Sequence, residues 1–258
     1  IIQKAFPISE EDNYNSLYLS YAKPKDVSNA KLVLRIKNNK WAGFVYNEFS
    51  AMFGKYYDNW VKKNHNKSKE EVYHNMKKVG IPLVVSVKSG DSWIDIDNLD
   101  LVGDINYNSL VIPINKELLN DTDIQIRIKS GFMFWELDYA AIDFTEKRAL
   151  NVQRISPSSA TGNNDRDDLQ ALISDDYTYM NHLNSGDSTK VTFSNIKNIE
   201  GQKRTIFLHS KGYYLPQKEF YGKMQLKELK AINTEGGLSI YSRELHDAFF
   251  RQFSFLKN

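Results

Sequence analysis

The 258-residue chain contains no cysteine, which excludes disulfide bonds, thiolate metal sites and cysteine nucleophiles. It also lacks any apolar run approaching the roughly 20 residues that a membrane-spanning helix needs. An excess of one charge is missing as well, since 34 basic residues stand against 32 acidic ones. A net charge of +2 creates no strong overall field. We therefore expect neither a nucleic-acid partner nor a transmembrane segment in this chain.

The first residue is Ile1 rather than methionine, which indicates a processed or truncated chain. Any export signal or lipid anchor is expected upstream of residue 1. Aromatic residues make up 13% of the chain, a share familiar in β-sandwich proteins that bind glycans. Aromatic residues are also favoured in strands and cores generally, so composition alone leaves glycan binding open.

A helical insertion is predicted near residues 41–80. Seven apolar residues recur there at spacings of three and four, as on one face of a helix over residues 41–60: Trp41, Val45, Phe49, Met52, Phe53, Tyr56 and Trp60. A second helix is predicted over residues 69–78, with Gly80 and Pro82 ending it.

Short strands are predicted on both sides of this insertion, at residues 32–37, 83–87, 93–97, 110–114, 124–129 and 134–144. Ile124, Ile126 and Ile128 alternate with polar residues, which indicates a strand with one face in the core. The turn at residues 89–92 predicts a hairpin between two of the strands. Strands of this length and spacing favour a β-sandwich.

The chain is long enough for two domains, and a stretch rich in Ser, Asn, Gly and Asp at residues 156–168 suggests where they divide. The predicted domains are residues 1–150, a mostly β sandwich with the helical insertion, and residues 151–258, a second and smaller β-rich domain. In the latter, strands are predicted at 190–193 and 204–210, and helices at 226–230 and 245–253.

A family resemblance covers roughly residues 32–221, with four matching runs in the first predicted domain. The runs Trp93-Ile94-Asp95-Ile96, Leu110-Val111-Ile112-Pro113-Ile114, Ile126-Arg127-Ile128 and Phe132-Met133-Phe134-Trp135-Glu136-Leu137-Asp138-Tyr139 carry it. This region resembles one beyond the repeats of FG-GAP and ASPIC/UnbV-type extracellular proteins, and is similar to uncharacterised secreted bacterial proteins. The resemblance implies a galactose-binding-like jelly roll, a fold that binds sugars in some relatives and braces neighbouring domains in others.

No catalytic motif is found. The Gly-Asp-Ser tripeptides at 90–92 and 186–188 precede strands, where a turn is the better interpretation, and the five histidines show no zinc-ligand spacing. Glu136 and Asp138 lie on one face of a predicted strand about 7 Å apart, which could serve a glycosidase. They could equally face solvent, and we predict that the protein is not an enzyme.

Two candidate binding sites remain. Tyr213, Tyr214 and Tyr221 could form an aromatic platform for a sugar ring, or could pack against a neighbouring loop. The oxygen-rich loop at residues 163–168 contains Asp165, Asp167 and Asp168, whose carboxylates suit calcium. A solvated acidic turn is the alternative, because the loop lacks the glycine and distal glutamate of an EF-hand.

These observations favour a non-catalytic module that is secreted, periplasmic or on the cell surface, with carbohydrate as its ligand if it has one. No cofactor is expected, and calcium at the loop of residues 163–168 is left open as a candidate. The first alternative is a scaffold or protein-interaction module without a small ligand, binding a cell-surface protein. A glycan hydrolase built on Glu136 and Asp138 is the weaker alternative.

Overall fold

The computed structural model describes residues 13–254 except 26, 120–121, 147–148, 175, 177, 196, 198–199, 202 and 213–217. The chain forms two compact units, one of Ile1–Lys147 with Lys218–Asn258 and one of Arg148–Gln217. Helix and strand each account for 30% of the described residues. The antiparallel sheets agree with a β-rich fold in that coarse sense, but helices take a larger share than the sequence analysis expected.

Seven strands of the first unit form two antiparallel sheets. One sheet has the order β1-β6-β3-β4 and the other has the order β5-β2-β7. The strands are β1 (Asn15–Ala22), β2 (Ala30–Asn38), β3 (Leu83–Ser89), β4 (Ser92–Leu99), β5 (Asn108–Ile114), β6 (Asp123–Ser130) and β7 (Trp135–Asp143). Six of these strands were predicted, and β1 was missed.

The two sheets share one apolar core, as expected for a sandwich. Side chains alternate in and out along each strand, so Leu32 and Leu34 of β2 meet Val85 of β3 and Ile126 of β6 in the interior. The predicted alternation along 124–129 is confirmed, because Ile124, Ile126 and Ile128 are all buried. The polar residues between them consequently lie on the outer face of their sheet.

Consecutive strands change sheets at nearly every connection. The exception is the predicted hairpin between β3 and β4, which is confirmed by the pairing of Ser89 with Ser92. Gly90 opens its two-residue turn at φ 58°, a left-handed conformation that glycine adopts without a Cβ clash. The hairpin places the aromatic and acidic residues of β4 beside the polar residues of β3.

Three helices form the predicted insertion, α1 (Lys40–Ala51), α2 (Tyr57–His65) and α3 (Lys69–Val79). The prediction of a single helix over residues 41–60 is wrong, because the α-helix is interrupted between the end of α1 at Ala51 and the start of α2 at Tyr57. Gly54 there has φ 52°, and a Cβ on it would lie 2.6 Å from the carbonyl oxygen of Gly222. The predicted helix over 69–78 is confirmed, with Ser68 as its N-cap and Gly80 ending it at φ 95°.

The C-terminal helices α5 (Leu226–Ile232) and α6 (Gly237–Ser254) belong to the first unit. Ile232 and Leu238 pack with Ala42 and Val45 of α1 around the buried ring of Phe134. The predicted second domain, residues 151–258, therefore differs from the observed second unit in this helical segment. Apolar packing joins the helical segment of α5 and α6 to α1 and Phe134, which are remote from it in sequence. No local pattern in residues 218–254 indicates this packing.

The second unit contains a two-stranded antiparallel sheet of β8 (Pro157–Gly162) and β9 (Thr189–Phe193), with the short helix α4 (Gln170–Ile173). Strand β9 was predicted, whereas β8 lies in a stretch that was assigned to a loop. The strand predicted at 204–210 is wrong, since those residues form no regular structure. Across both units, no helix within the described ranges is long and apolar enough to cross a bilayer.

Candidate functional site

A row of four side chains crosses the outer face of the four-stranded sheet. The register places Tyr18 of β1 opposite Arg127 of β6, Arg127 opposite Ser86 of β3, and Ser86 opposite Asp95 of β4. The sequence neighbours of Arg127 and Ser86 are buried core residues, so the members of the row point to the other side of the sheet. Tyr18 begins this row, and we call its other three members, Arg127, Ser86 and Asp95, the polar row.

The hydroxyl of Ser86 connects the two charged members of the polar row. It accepts a hydrogen bond from Nη2 of Arg127 at 3.2 Å and donates one to Oδ1 of Asp95 at 2.8 Å. Lys77 of α3 adds a contact of 2.8 Å between its Nζ and Oδ2 of Asp95. Side chains of three elements, α3, β3 and β6, therefore hold the Asp95 carboxylate in one position.

The pKa of Asp95 lies below its usual range. Partial desolvation opposes ionisation, but the hydrogen bonds from Lys77 and Ser86, with the positive charges of Lys77 and Arg127, outweigh it. Asp95 is thus a fixed carboxylate at neutral pH, with a hydrogen bond to each of its two oxygens.

Two aromatic rings lie next to the polar row. The ring centroids of Tyr18 and Trp93 are 5.6 Å apart, and the guanidinium carbon of Arg127 lies 5.1 Å from the centroid of the Trp93 ring. A cation–π contact of this kind contributes about 0.5–1 kcal/mol at an exposed position. Arg127 therefore supports the indole ring, while Tyr18 stays 60% exposed. Tyr18, Trp93 and the polar row together form the candidate surface.

The predicted hydrolase pair, Glu136 and Asp138, lies on the outer face of the three-stranded sheet, where each carboxylate is paired with a cation. Oε2 of Glu136 lies 3.3 Å from Nζ of Lys37 and accepts a hydrogen bond of 2.9 Å from the Tyr107 hydroxyl. Asp138 lies 3.0 Å from Nη1 of Arg35. Both carboxylates have cationic partners that a substrate would have to displace.

The predicted tyrosine platform is only partly within the described residues. Tyr213 and Tyr214 lie outside them, so their role stays a prediction. Tyr221 is 83% exposed, and its hydroxyl donates a 2.7 Å hydrogen bond to Oε2 of Glu219. An exposed ring of this kind is accessible to a ligand, but no described aromatic residue is paired with it in a ring contact.

The predicted calcium loop places its three aspartates in different environments. Asp168 is buried, and Nε and Nη2 of Arg166 donate to its two oxygens at 2.7 Å and 3.0 Å. Asp167 accepts a hydrogen bond from the backbone of Leu169, and Asp165 is exposed. Among the described residues, no group of three His, Cys, Asp or Glu side chains is placed to hold a metal ion. Calcium binding here would require the Arg166–Asp168 pair to open.

Sequence reasoning missed the candidate surface for a specific reason. Trp93, Asp95 and Arg127 occur in strands that were predicted, and each has a residue type suited to binding. Tyr18 belongs to β1, which was not predicted, and the pairing that joins β1 to β6 and β6 to β3 is not visible in any local pattern. Only the sheet register brings the surface together.

Comparisons with protein-family models, with curated proteins and with solved structures found no match for this chain. The resemblance to FG-GAP and ASPIC/UnbV-type proteins thus stays a prediction.

Proposed function

We propose that the protein is an exported, non-catalytic module that binds carbohydrate through Tyr18, Trp93 and the polar row. The observation that carries this proposal is the 60% exposed ring of Tyr18 beside Trp93, next to a fixed carboxylate and guanidinium. Saccharides combine an apolar ring face with hydroxyl groups at the edge. An aromatic surface flanked by hydrogen-bonding groups is complementary to both features.

The fixed polar groups make the surface suitable for a specific ligand. Asp95 accepts hydrogen bonds and Arg127 donates them, and each is held in place by Ser86 before any ligand arrives. Such preorganisation reduces the entropy lost on binding. Oxygen acceptors and nitrogen donors side by side match the vicinal hydroxyls of a sugar, which both donate and accept.

We infer a galactose-binding-like jelly roll as the finer description of the sandwich. Support comes from the two antiparallel sheets and from connections that change sheets at every step except the β3–β4 hairpin. The predicted location, secreted, periplasmic or on the cell surface, is part of the same proposal, as extracellular glycans are the expected ligands.

A glycan array tests the proposal directly. The wild-type chain is expected to bind a limited set of glycans, and Trp93→Ala is expected to lose those that the sandwich surface binds, while keeping its circular-dichroism spectrum and a cooperative unfolding transition. Binding that survives Trp93→Ala but disappears in Tyr213→Ala or Tyr214→Ala would move the site to the predicted tyrosine platform. A correctly folded wild type that binds no glycan would contradict carbohydrate binding.

A protein-interaction module is the second candidate, favoured by an aromatic patch on α1 and α6. Phe44 and Phe250 are exposed, and the ring of Trp41 lies 5.2 Å from Phe44 and 5.5 Å from His246. Exposed apolar patches mark many docking surfaces. If this function is the true one, the glycan array shows no binding. The wild-type chain is then expected to bind intact cells, and the Phe44→Ser, Phe250→Ser double variant is expected to lose that binding.

A further inference from the structure

A polar cleft of about 530 Å³ opens on the second unit, separate in sequence from the surface on the sandwich. Its volume falls in the range of small-molecule sites, which is roughly 300–1,000 Å³. Side-chain amides dominate its lining, contributed by Asn163, Asn164, Asn181 and Asn184. Arg166, Asp187 and Leu183 complete it.

Hydrogen bonds within the unit fix the walls of this cleft. The Oδ2 atom of Asp187 accepts from the backbone amides of Leu183 and Asn184, each at 2.9 Å. Asn163 bridges to the same segment, because its amide nitrogen donates to Asp187 at 3.2 Å and its oxygen accepts from the Ser188 hydroxyl at 3.2 Å. The side chains of Asn163 and Asp187 therefore stabilise the walls of the cleft through hydrogen bonds within the unit.

The cleft presents no unbalanced positive charge. The guanidinium of Arg166 is paired through two nitrogens with the buried carboxylate of Asp168, and its Nη2 also donates to the carbonyl of Asn181 at 3.2 Å. Asp187 adds a negative charge to the lining. An anionic ligand such as a phosphate or sulfate would meet repulsion from Asp187 and a guanidinium that is already neutralised.

The side-chain amides that line the cleft have donors and acceptors that form few hydrogen bonds within the protein. Within the described part of the chain, the side chains of Asn164 and Asn181 form no hydrogen bond, and that of Asn184 makes one long contact of 3.5 Å. Each amide offers both donors and an acceptor. Leu183, which is 78% exposed, supplies an apolar surface at the same place.

We propose that this cleft is a second ligand site, and that its ligand is a neutral saccharide. Amides that donate and accept match adjacent hydroxyls, and the Leu183 side chain can cover the apolar face of a sugar ring. This inference is independent of the surface on the sandwich, since it depends on different residues in a different unit.

Saturation-transfer NMR on the full chain tests the inference with a panel of neutral mono- and disaccharides: glucose, galactose, mannose, N-acetylglucosamine, maltose and lactose. The Trp93→Ala variant removes the indole ring from the surface of the sandwich and is expected to retain transfer to at least one sugar. The further triple substitution Asn164→Gly, Asn181→Ala, Asn184→Ala is expected to reduce that transfer at least fivefold. Asn164→Gly keeps the left-handed backbone at that position, where φ is 58°.

The matched control is Asn151→Ala, which removes one exposed asparagine of the same unit outside the cleft and is expected to change nothing. The retained hydrogen bonds of Asn163, Arg166, Asp168 and Asp187 preserve the fold of the triple variant, which its amide spectrum will verify. No transfer to any sugar in the Trp93→Ala background, or equal transfer in the triple variant, overturns the second site. Wild-type transfer that Trp93→Ala removes would leave the sandwich surface as the proposed function while overturning the cleft.

Discussion

The two outer faces of the sandwich use similar residues in opposite ways. On the three-stranded sheet, Arg35 and Lys37 of β2 pair with Asp138 and Glu136 of β7, and Lys31 pairs with Asp143 at 3.0 Å. Each cation there has its own carboxylate on the neighbouring strand. On the four-stranded sheet, the charged residues are linked through Ser86 and lie beside the rings of Tyr18 and Trp93.

This difference supports the proposal that the four-stranded sheet carries the binding face. Cross-strand ion pairs join β2 to β7 and neutralise both partners, although exposed pairs of this kind contribute only about 0–1 kcal/mol each. On the four-stranded sheet, Asp95 also has a cationic partner, Lys77 at 2.8 Å. What distinguishes that face is the pair of aromatic rings in contact, Tyr18 and Trp93, beside the hydrogen-bonded row. The comparison favours binding on one face and structural support on the other, which also disfavours a hydrolase built on Glu136 and Asp138.

Removing a ring from each face tests the comparison most strongly. Tyr18 and Tyr139 have similar exposure, 60% and 54%, and lie on opposite sheets. We expect Tyr18→Ala to weaken binding of a glycan identified on the array about tenfold, a loss of about 1.4 kcal/mol, because the stacking ring is gone. Tyr139→Ala is expected to leave affinity within twofold. Isothermal titration calorimetry measures both, and equal losses in the two variants would contradict the assignment of faces.

The link between Arg127 and Asp95 is expected to contribute to stability. Ser86→Ala removes a fully buried hydroxyl that donates to Asp95 and accepts from Arg127. Leaving both groups without this partner is expected to cost about 1 kcal/mol of the free energy of unfolding, measured in urea. Ser109→Ala, on an exposed position of the other sheet, is the matched control and should change stability by less than about 0.5 kcal/mol. Equal losses of unfolding free energy in Ser86→Ala and Ser109→Ala would mean that the Ser86 hydroxyl does not stabilise the fold.

The ionisation of Asp95 predicts a dependence of stability on pH. Its pKa is lower in the folded chain than in the unfolded one, so its contribution is present above the unfolded pKa of about 3.9. That contribution is lost as pH falls through the folded pKa. Asp95→Asn should therefore lose less stability than wild type when pH is lowered from 5 to 3. Parallel pH profiles in urea unfolding would show that Asp95 is not held as a carboxylate.

Calcium is expected to have the smallest effect. Because Arg166 holds both oxygens of Asp168, millimolar calcium should leave the melting temperature unchanged in differential scanning fluorimetry. A rise that a chelator reverses would instead support the oxygen-rich loop at residues 163–168 as a metal site.

Local patterns predicted much of the sandwich and little of the site. The alternation along β6 and the turn at Gly90 depend on neighbouring residues, so the sequence could reveal both. The break at Gly54 was missed because the apolar spacing continues through it. The backbone amide of Lys55 beside it donates a 3.3 Å hydrogen bond to the carbonyl oxygen of Gly222, which is remote in sequence. The candidate surface was missed because Tyr18 and Asp95 meet only through the pairing of four strands.

Chemical-shift mapping tests the assignment of the ligand to one face most directly. With the backbone amides assigned, an array-identified glycan is titrated into the ¹⁵N-labelled full chain. We predict that the largest shifts occur at Tyr18, Ser86, Trp93 and Arg127, with the Trp93 indole resonance among them, while Arg35 and Asp138 stay unchanged. Shifts confined to the face of the three-stranded sheet, with the Tyr18 and Trp93 signals unmoved, would contradict the account.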